Sequence, residues 1–194
     1  GMKRREYLDA MRKYDKSGSF PATYYSFQKN GIVFVVLDGA RDDAVTSQGY
    51  FSPANLKYLG DVAGAYPESP VVVFQHFPVL YPIASKSHEV TNRDEYLRTV
   101  TAHPNIKAIF AGHFHMAKIE RGKNFVHITN PSLVQYPNAF RIVTMRRTSE
   151  GFVIDTSMVE TRLKNIREMS RGGSPGAGLQ AGRAVDTNVH MVVK

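Results

Sequence analysis

Several features that would narrow the function are missing from this 194-residue sequence. It contains no cysteine, which excludes disulfide bonds, thiolate zinc sites and cysteine nucleophiles. Its longest apolar runs, such as residues 32–37 and 71–74, have the length of a strand, whereas a membrane-spanning helix needs roughly 18 residues. No signal peptide follows Met2. We therefore expect no membrane association and a cytoplasmic location, although a longer natural N-terminus would leave export open.

The positive charge of the chain lies mainly at its two ends. Lys and Arg number 25 against 17 Asp and Glu, which gives a formal net charge of +8. Residues 1–20 hold six basic and three acidic groups, residues 141–194 hold nine and five, and residues 21–140 are nearly balanced. A nucleic-acid-binding face usually has a denser basic cluster interleaved with aromatic residues, so nucleic acid is not favoured as a partner. Basic groups near a site would suit a phosphorylated small-molecule substrate.

Hydrophobic periodicity predicts an α/β chain. Helices are predicted for 4–14, 53–66 and 92–103, and buried strands for 32–37, 71–74 and 106–111. Hairpin strands are predicted later in the chain, for 117–120, 124–129, 140–145 and 152–158. This order predicts a mixed sheet with a helical side. Residues 1–170 are assigned to one domain, and residues 171–194 to a glycine-rich segment, with a loop at 172–183 and a final strand at 187–193.

Two of the predicted buried strands run directly into turns that carry histidine. His76 follows strand 71–74, and Gly112-His113-Phe-His115 follows strand 106–111. In open α/β sheets, ligands bind outside the carboxyl ends of the strands, so three imidazoles are expected at one sheet edge. Gly112 removes a side chain where the strand must turn sharply, which is expected to let a metal or phosphate approach the backbone. A single histidine at a strand end is more often structural, but three together predict a metal site.

With these motifs the chain resembles the calcineurin-like metallophosphoesterases, and most closely their cyclic-nucleotide-phosphodiesterase-like members. Val-Val-Val-Phe-Gln-His-Phe-Pro at 71–78 and Gly-His-Phe-His at 112–115 are similar to the last two metal-ligand motifs of that family. Tyr-Tyr-Ser-Phe at 24–27 and Asn-Gly-Ile-Val-Phe-Val-Val-Leu-Asp at 30–38 are similar to the hairpin after its central motif, and residues 55–59 to the helix that follows.

The resemblance implies both a fold and an activity. The fold would be part of a four-layer α/β/β/α sandwich with mixed sheets, without its N-terminal strands. The activity would be metal-dependent hydrolysis of a phosphodiester or phosphomonoester. His76 and His113 would bind one divalent metal and His115 a second, and manganese, iron or zinc would suit such ligands. Two metals would lower the pKa of a bridging water and hold the phosphoryl oxygens for in-line attack.

Three motifs of that family have no counterpart in the sequence. They are Asp-x-His, Gly-Asp and Gly-Asn-His-Asp/Glu, which supply a bridging aspartate, further ligands and the histidine thought to protonate the leaving group. Asp38 follows the strand that the family places after all three motifs, and Asp61 falls within a predicted helix, so neither is a convincing replacement. The simplest explanation is a chain that starts after these motifs. We therefore assign no catalytic residue and expect at most one weakly bound metal.

Two functions remain in competition. The first is a phosphoesterase, weakly active or inactive as this chain alone, and the alternative is a non-catalytic pseudo-phosphoesterase or assembly module that keeps the fold. Missing strands would expose a sheet edge, which a homodimer is able to cover. His88 and Asn130 are candidates for the substrate rim, and the loops at 39–52 and 79–91 for substrate choice. His127 is expected to be packed within a strand.

Overall fold

The computed structural model describes residues 3–15, 22–174 and 176–194. The sequence Lys-Ser-Gly-Ser-Phe-Pro at 16–21 predicts a loop, and this segment lies outside the described residues. The α-helices of these segments are α1 (Arg4–Tyr14), α2 (Pro53–Ala65), α3 (Arg93–Ala102), α4 (Lys164–Gly172) and α5 (Ala177–Ala181). The strands are β1 (Tyr25–Lys29), β2 (Ile32–Val36), β3 (Val71–Phe74), β4 (Ile106–Ala111), β5 (Lys118–Arg121), β6 (Val126–Thr129), β7 (Ala139–Thr148), β8 (Gly151–Glu160) and β9 (Val189–Val193). None of these helices is long and apolar enough to cross a membrane. The predicted α/β organisation is thus confirmed.

The first sheet has six strands in the order β1-β2-β3-β4-β6-β5. Strands β2, β3, β4 and β6 run parallel, and β1 and β5 pair antiparallel at the two edges. The Asn30–Gly31 turn closes the β1–β2 hairpin with positive φ at both residues (52° and 74°), as this dipeptide predicts. The parallel strands are apolar almost throughout because other layers cover both faces of the sheet.

Helices α2 and α3 cover one face of this sheet. Helix α2 begins where Ser52 Oγ accepts the backbone N–H of Asn55 (3.2 Å) and Pro53 takes the first helical position. Its apolar stripe includes Leu59, which is fully buried with Tyr96 of α3. These side chains form one core with the sheet residues that face them, namely Val33, Val35, Val71, Val73, Ile106 and Ile109.

A second, antiparallel sheet of order β7-β8-β9 covers the other face. Its inner residues form a second core with the first sheet, and the buried members of that core are Ile32, Val72, Ala108, Phe110, Val126, Ile128, Phe152, Ile154, Met191 and Val193. On its opposite face, Phe140 and Ile142 are exposed. A helical layer and two sheets of the expected sandwich are therefore present in the described residues.

The C-terminal segment is more ordered than the prediction of a loop at 172–183. The prediction was wrong in part, because α4 extends to Gly172 and α5 lies within this range. The backbone N–H of Ala117 donates to the carbonyl of Gln180 (2.9 Å), which ties α5 to the residue before β5. Buried Asp186 accepts the N–H of Ile119 (3.0 Å). The final strand is confirmed as β9, which pairs with β8.

A row of phenylalanine rings crosses four strands of the first sheet on the side of the second sheet. Ring centroids lie 5.0 Å apart between Phe27 and Phe34, 6.2 Å between Phe34 and Phe74, and 5.2 Å between Phe74 and Phe110. Phe110 is buried, whereas Phe27 and Phe74 are 47% and 36% exposed. The second sheet therefore covers only part of this apolar face.

His127 is fully buried on β6, which confirms that it is a packed residue. Its Nε2 accepts the backbone N–H of Val79 (3.2 Å). Its Nδ1 lies 3.9 Å from Glu120 Oε2, too far for a hydrogen bond. Burial lowers the pKa of His127 to about 3, so the folded protein holds this ring in its neutral form.

We expect His127→Gln to remove a pH-dependent part of the stability while keeping an acceptor for Val79. The unfolded chain protonates His127 below its ordinary pKa of about 6.5, whereas the folded chain does not until about pH 3. The unfolded state therefore binds more protons as the pH falls, and stability decreases. Between pH 6.5 and pH 5, urea titration should show the wild-type free energy of unfolding falling by up to about 2 kcal/mol more than that of the variant. Equal slopes for the two proteins would contradict this assignment.

Candidate metal centre

His76 and His113 are brought together by the pairing of two adjacent parallel strands. Phe74 of β3 pairs with Phe110 of β4. Beyond the strands the backbone pairing continues, because Gln75 N–H donates to the Phe110 carbonyl and Gly112 N–H to the His76 carbonyl, each at 3.0 Å. His113 Nδ1 consequently lies 3.2 Å from His76 Nε2, with the two rings nearly perpendicular.

The turn after β4 is strained at its histidines and not at its glycine. His113 and His115 have φ values of 67° and 52°, in the left-handed region, whereas Gly112 is not among the residues with positive φ. A Cβ on residue 112 would meet His76 Nδ1 at 3.7 Å, an ordinary contact. The expected approach of a metal or phosphate to the backbone at Gly112 stays a prediction. Left-handed non-glycine residues cost about 1–2 kcal/mol each and tend to cluster at functional sites.

Both paired imidazoles are held in the neutral form. Burial, followed by the imidazoles of His76 and His88, lowers the pKa of His113 to about 4. The Ser47 carbonyl weakly opposes this decrease, although His113 Nε2 has no hydrogen-bond partner of normal geometry in the described residues. Burial, with a smaller effect of His115, also lowers the pKa of His76. Neutral imidazole is the form that binds a metal.

The spacing of this pair fits a single metal ion. Two nitrogens about 2.1 Å from one ion, at an angle between about 90° and 109°, would lie about 3.0–3.4 Å apart. The observed separation of His113 Nδ1 and His76 Nε2 is 3.2 Å, within that range. The same pair is able to share one proton in a hydrogen bond when no ion is bound.

A binuclear centre does not fit the described residues. Across 3–15, 22–174 and 176–194, no group of three or more His, Asp or Glu side chains is arranged to hold a metal. His115 contacts Gln135, its Nδ1 facing the amide Oε1. Asp38 is occupied by Arg4 Nε (2.6 Å) and Thr23 Oγ1 (2.7 Å). Asp61 lies on α2 and pairs with Lys57 (2.6 Å).

His88 lies beside the pair although it is distant in sequence. It ends a short 3₁₀ helix, Lys86–His88, and its ring centroid is 5.2 Å from that of His113 and 5.8 Å from that of Phe114. Its Nδ1 lies 2.9 Å from the hydroxyls of both Ser85 and Ser87. The structure therefore brings this candidate rim residue to the pair, with one ring nitrogen already engaged.

Asn130 serves mainly as a structural link. Its Nδ2 donates to the Ala111 carbonyl (3.0 Å) and its Oδ1 accepts Arg141 Nε (3.3 Å). Burial lowers the pKa of Arg141 to about 10, but the guanidinium stays charged at neutral pH. The guanidinium of Arg141 also donates to the carbonyls of Asp186 and Thr187, at 2.8 Å each. A role for Asn130 in substrate contact would require it to exchange these partners.

The two loops that we expect to choose the substrate are joined to each other. Gly49 and Val90 form an isolated parallel bridge, with Gly49 N–H donating to the Glu89 carbonyl (3.1 Å). Gly49 also lies against the Phe77 ring, whose centroid is 4.7 Å from that of His113. A shift of this bridge would therefore move the Phe77 ring, which lies against the ring of His113.

Sequence reasoning missed Phe77 and Gln135 as neighbours of the histidines. Phe77 directly follows His76, and Gln135 lies in the loop after β6, whose carboxyl end is at the same sheet edge as those of β3 and β4. The parallel order of the strands was the signal that could have located that loop. Which of its side chains faces His115 depends on the loop conformation, which periodicity does not give.

The solved structures that are similar to this chain include the following three. A dimetal phosphatase from Danio rerio aligns with a TM-score of 0.59 at 18% identity, over 82% of this chain and 66% of that protein. GAP50, the anchor in the inner membrane complex of Plasmodium, gives 0.46 at 13% identity, over 74% and 52%. A Staphylococcus aureus protein assigned as a 5′-nucleotidase gives 0.44 at 14% identity, over 81% and 35%. This chain thus spans about two thirds, half and one third of their lengths.

The first of these similarities shows the fold. The mixed α/β architecture of this chain matches that of the dimetal phosphatase, so it has a metallophosphoesterase-like fold, as the sequence resemblance implied. No protein-family model matches the chain, and no curated protein is significantly similar to it. The identity of 18% supports no conclusion about activity.

We expect Gly49→Ala to destabilise the protein and to displace the Phe77 ring. A Cβ at residue 49 would lie 2.5 Å from Phe77 Cγ, so the ring or the bridge must move. Such overpacking costs about 1–3 kcal/mol, which urea denaturation will measure, and the ring signals of His113 should shift in an NMR spectrum. As a matched control, Gly64→Ala in α2 meets open space and should stabilise by about 0.5–1 kcal/mol. A Gly49→Ala variant as stable as wild type, with unchanged His113 signals, would contradict the prediction.

Proposed function

We propose that the chain carries metal-binding residues of a phosphoesterase. In this proposal His76 and His113 bind one divalent ion, and His115 belongs to the position of a second. The observation that supports it most directly is the 3.2 Å separation between His113 Nδ1 and His76 Nε2 at the carboxyl ends of adjacent parallel strands. The metallophosphoesterase-like fold adds support, because the chain shares it with a dimetal phosphatase.

The chemistry of such a site divides between the metal and the chain. A bound divalent ion would supply a water of lowered pKa and would polarise a phosphoryl oxygen. The chain supplies two neutral imidazoles as ligands, and the rings of Phe77 and Phe114 pack beside His113. His88 is held next to them by the loop that precedes Val90. We propose a phosphorylated small molecule as substrate, with His88 and Asn130 at its rim.

The metal content proposed for this chain is small. Imidazole ligands suit manganese, iron or zinc. Because the pair has no carboxylate beside it in the described residues, the charge of an ion would be poorly compensated. We therefore propose at most one weakly bound ion in the chain as it stands, with weak or no hydrolysis. The ligands that a two-metal mechanism needs are not assembled in the described part of the chain.

The alternative is a non-catalytic module that keeps the fold. It is favoured by the same observation that limits metal binding, namely that no group of three His, Asp or Glu side chains is assembled in the described ranges. In this case the His76–His113 contact would be a hydrogen bond that closes the sheet edge. The two proposals differ in one measurable property, which is whether the pair binds a divalent ion.

Isothermal titration with Mn²⁺ decides between these two functions. For the phosphoesterase we expect one weak site per chain, lost in His76→Ala and in His113→Ala because each removes one of the two nitrogens. His190→Ala is the matched control, since His190 is an exposed histidine of β9 paired with Asp155. No heat of binding in the wild type would favour the non-catalytic module. Two tight sites per chain, or binding unchanged in both variants, would refute the assignment of the pair.

We further propose that two copies of the chain associate through β1. Among the described strands β1 lies at the edge of the first sheet and pairs only with β2, and Phe27 on it is 47% exposed at the end of the phenylalanine row. A strand of a second copy added at this edge would extend the sheet beside Phe27.

Light scattering should give about twice the chain mass of 21.7 kDa for the wild type. We expect Phe27→Lys to give the mass of one chain, because it puts like charges near the axis that relates the two edges. The control is Phe140→Lys, which alters an exposed phenylalanine on the outer face of the second sheet and should leave the dimer intact. A monomeric wild type would contradict the proposal.

A further inference from the structure

The side-chain amide of Gln75 joins helix α3 to the turn that carries His76. Gln75 Nε2 donates to the backbone carbonyl of Phe77 (2.6 Å), and Gln75 Oε1 accepts the hydroxyl of Tyr96 (2.5 Å). A carbonyl only accepts hydrogen bonds, so the nitrogen of the amide must face Phe77 and its oxygen must face Tyr96. The Tyr96 hydroxyl is therefore the donor in its contact, and the orientation of the amide is fully defined.

Tyr96 is a rigid anchor for this amide. Its side chain is fully buried on α3, and its ring lies against that of Phe51, with the centroids 4.8 Å apart. Burial raises the pKa of the Tyr96 hydroxyl above its ordinary value of about 10, so the hydroxyl remains a donor at neutral pH. Gln75 is its only hydrogen-bond partner within the described part of the chain. Because a buried hydroxyl without a partner is unfavourable, Tyr96 holds the Gln75 amide in place.

The amide of Gln75 closes the turn around His76. Backbone hydrogen bonds to the β4 strand and the turn after it fix the first two residues of this turn, Gln75 and His76. The third residue, Phe77, is held through its carbonyl by the Gln75 side chain. The buried Phe77 ring has its centroid 5.0 Å from that of His76 and 4.7 Å from that of His113. The amide therefore fixes the residue that packs against both imidazoles.

We propose that Gln75 is a positioning residue that sets the ring of His76 against the ring of His113. An imidazole rotates about two side-chain bonds, so two rings on neighbouring turns keep one defined contact only when something outside the pair restrains them. Here the Phe77 ring is that restraint, and the Gln75 amide connects it to the buried hydroxyl of Tyr96. The effect on the ring contact follows from these contacts alone, whereas any effect on metal binding also rests on the proposed function.

The first experiment measures the ring contact in the metal-free protein. Nuclear Overhauser effects between the ring protons of His76, Phe77 and His113 report the distances among these rings. We expect them in the wild type and expect their loss in Tyr96→Phe, which removes only a hydroxyl, and in Gln75→Met, which keeps the length of the side chain without its polar atoms. We expect the same loss in Gln75→Glu, because a carboxylate still accepts the Tyr96 hydroxyl but cannot donate to the Phe77 carbonyl.

Tyr58→Phe is the matched control for Tyr96→Phe. Tyr58 lies on α2, and its hydroxyl is 2.7 Å from Ser26 Oγ of β1, at the edge of the first sheet. This variant also removes one hydroxyl that joins the helical layer to the sheet, so it reproduces a loss of stability without touching the turn at His76. We expect the ring contact of the wild type in it. Ring contacts retained in Tyr96→Phe and in both Gln75 variants, or lost equally in Tyr58→Phe, would overturn the inference.

The second experiment is a calorimetric titration of the same variants with Mn²⁺. We expect binding about tenfold weaker in Tyr96→Phe than in the wild type, because the two nitrogens are no longer held at the spacing of one ion, and unchanged binding in Tyr58→Phe. Equal affinity in Tyr96→Phe and the wild type would overturn the inference although the proposed function held. A wild type without any heat of binding would overturn the proposed function, and the ring contacts of the first experiment would still show whether Gln75 positions His76.

Discussion

The parallel pairing of β3 with β4 is the constraint on which the rest of the molecule depends. It sets Phe74 opposite Phe110, and the backbone hydrogen bonds continue for two residues past the strands. Helices α2 and α3 cover one face of this pair and the second sheet covers most of the other, so the apolar residues of both strands are buried except Phe74, the last residue of β3. The position of His76 relative to His113 is therefore determined by the best-packed part of the chain.

Burial near this edge also explains why the pKa values of His76 and His113 are lowered. Transfer of an imidazolium ion from water to a partly buried site is unfavourable, and four other rings, those of His76, Phe77, His88 and Phe114, lie close to His113. Asp38, one of the two aspartates considered as replacement ligands, is paired with Arg4 (2.6 Å). His76 and His113 offer two nitrogen donors but no carboxylate. They would bind a cation only weakly, because no negative charge compensates for the hydration that the cation loses.

The sequence allowed the prediction of those parts of the fold that follow from hydrophobic period and local caps. The helix at Arg4–Tyr14 and the strands Val71–Phe74 and Ile106–Ala111 lie where periodicity places them, and the Asn30–Gly31 turn closes its hairpin. The histidines could be placed at one edge because parallel strands end together. Their ligand roles remain predictions.

The remaining features depend on contacts between residues that are distant in sequence. Helix α5 lies in a glycine-rich stretch, where the Gln180 carbonyl accepts the N–H of Ala117, a partner that no local pattern reveals. The left-handed backbone falls on His113 and His115, although glycine at 112 is the residue that tolerates it best. The loop that places Gln135 against His115 is held by Arg167 of α4, whose Nε donates to the Pro137 carbonyl (3.2 Å).

The bridge between Gly49 and Val90 has a consequence for how this scaffold can change. Ser47 Oγ also donates to the Ser87 carbonyl and Gln48 Nε2 to the Lys86 carbonyl, each at 2.9 Å, so the two surface loops share one short backbone seam. The conformation of each loop depends on hydrogen bonds to the other. One loop grafted alone from a homologous protein would lack these partners. We therefore expect the two loops to change together during evolution, while the backbone bridge between them is kept.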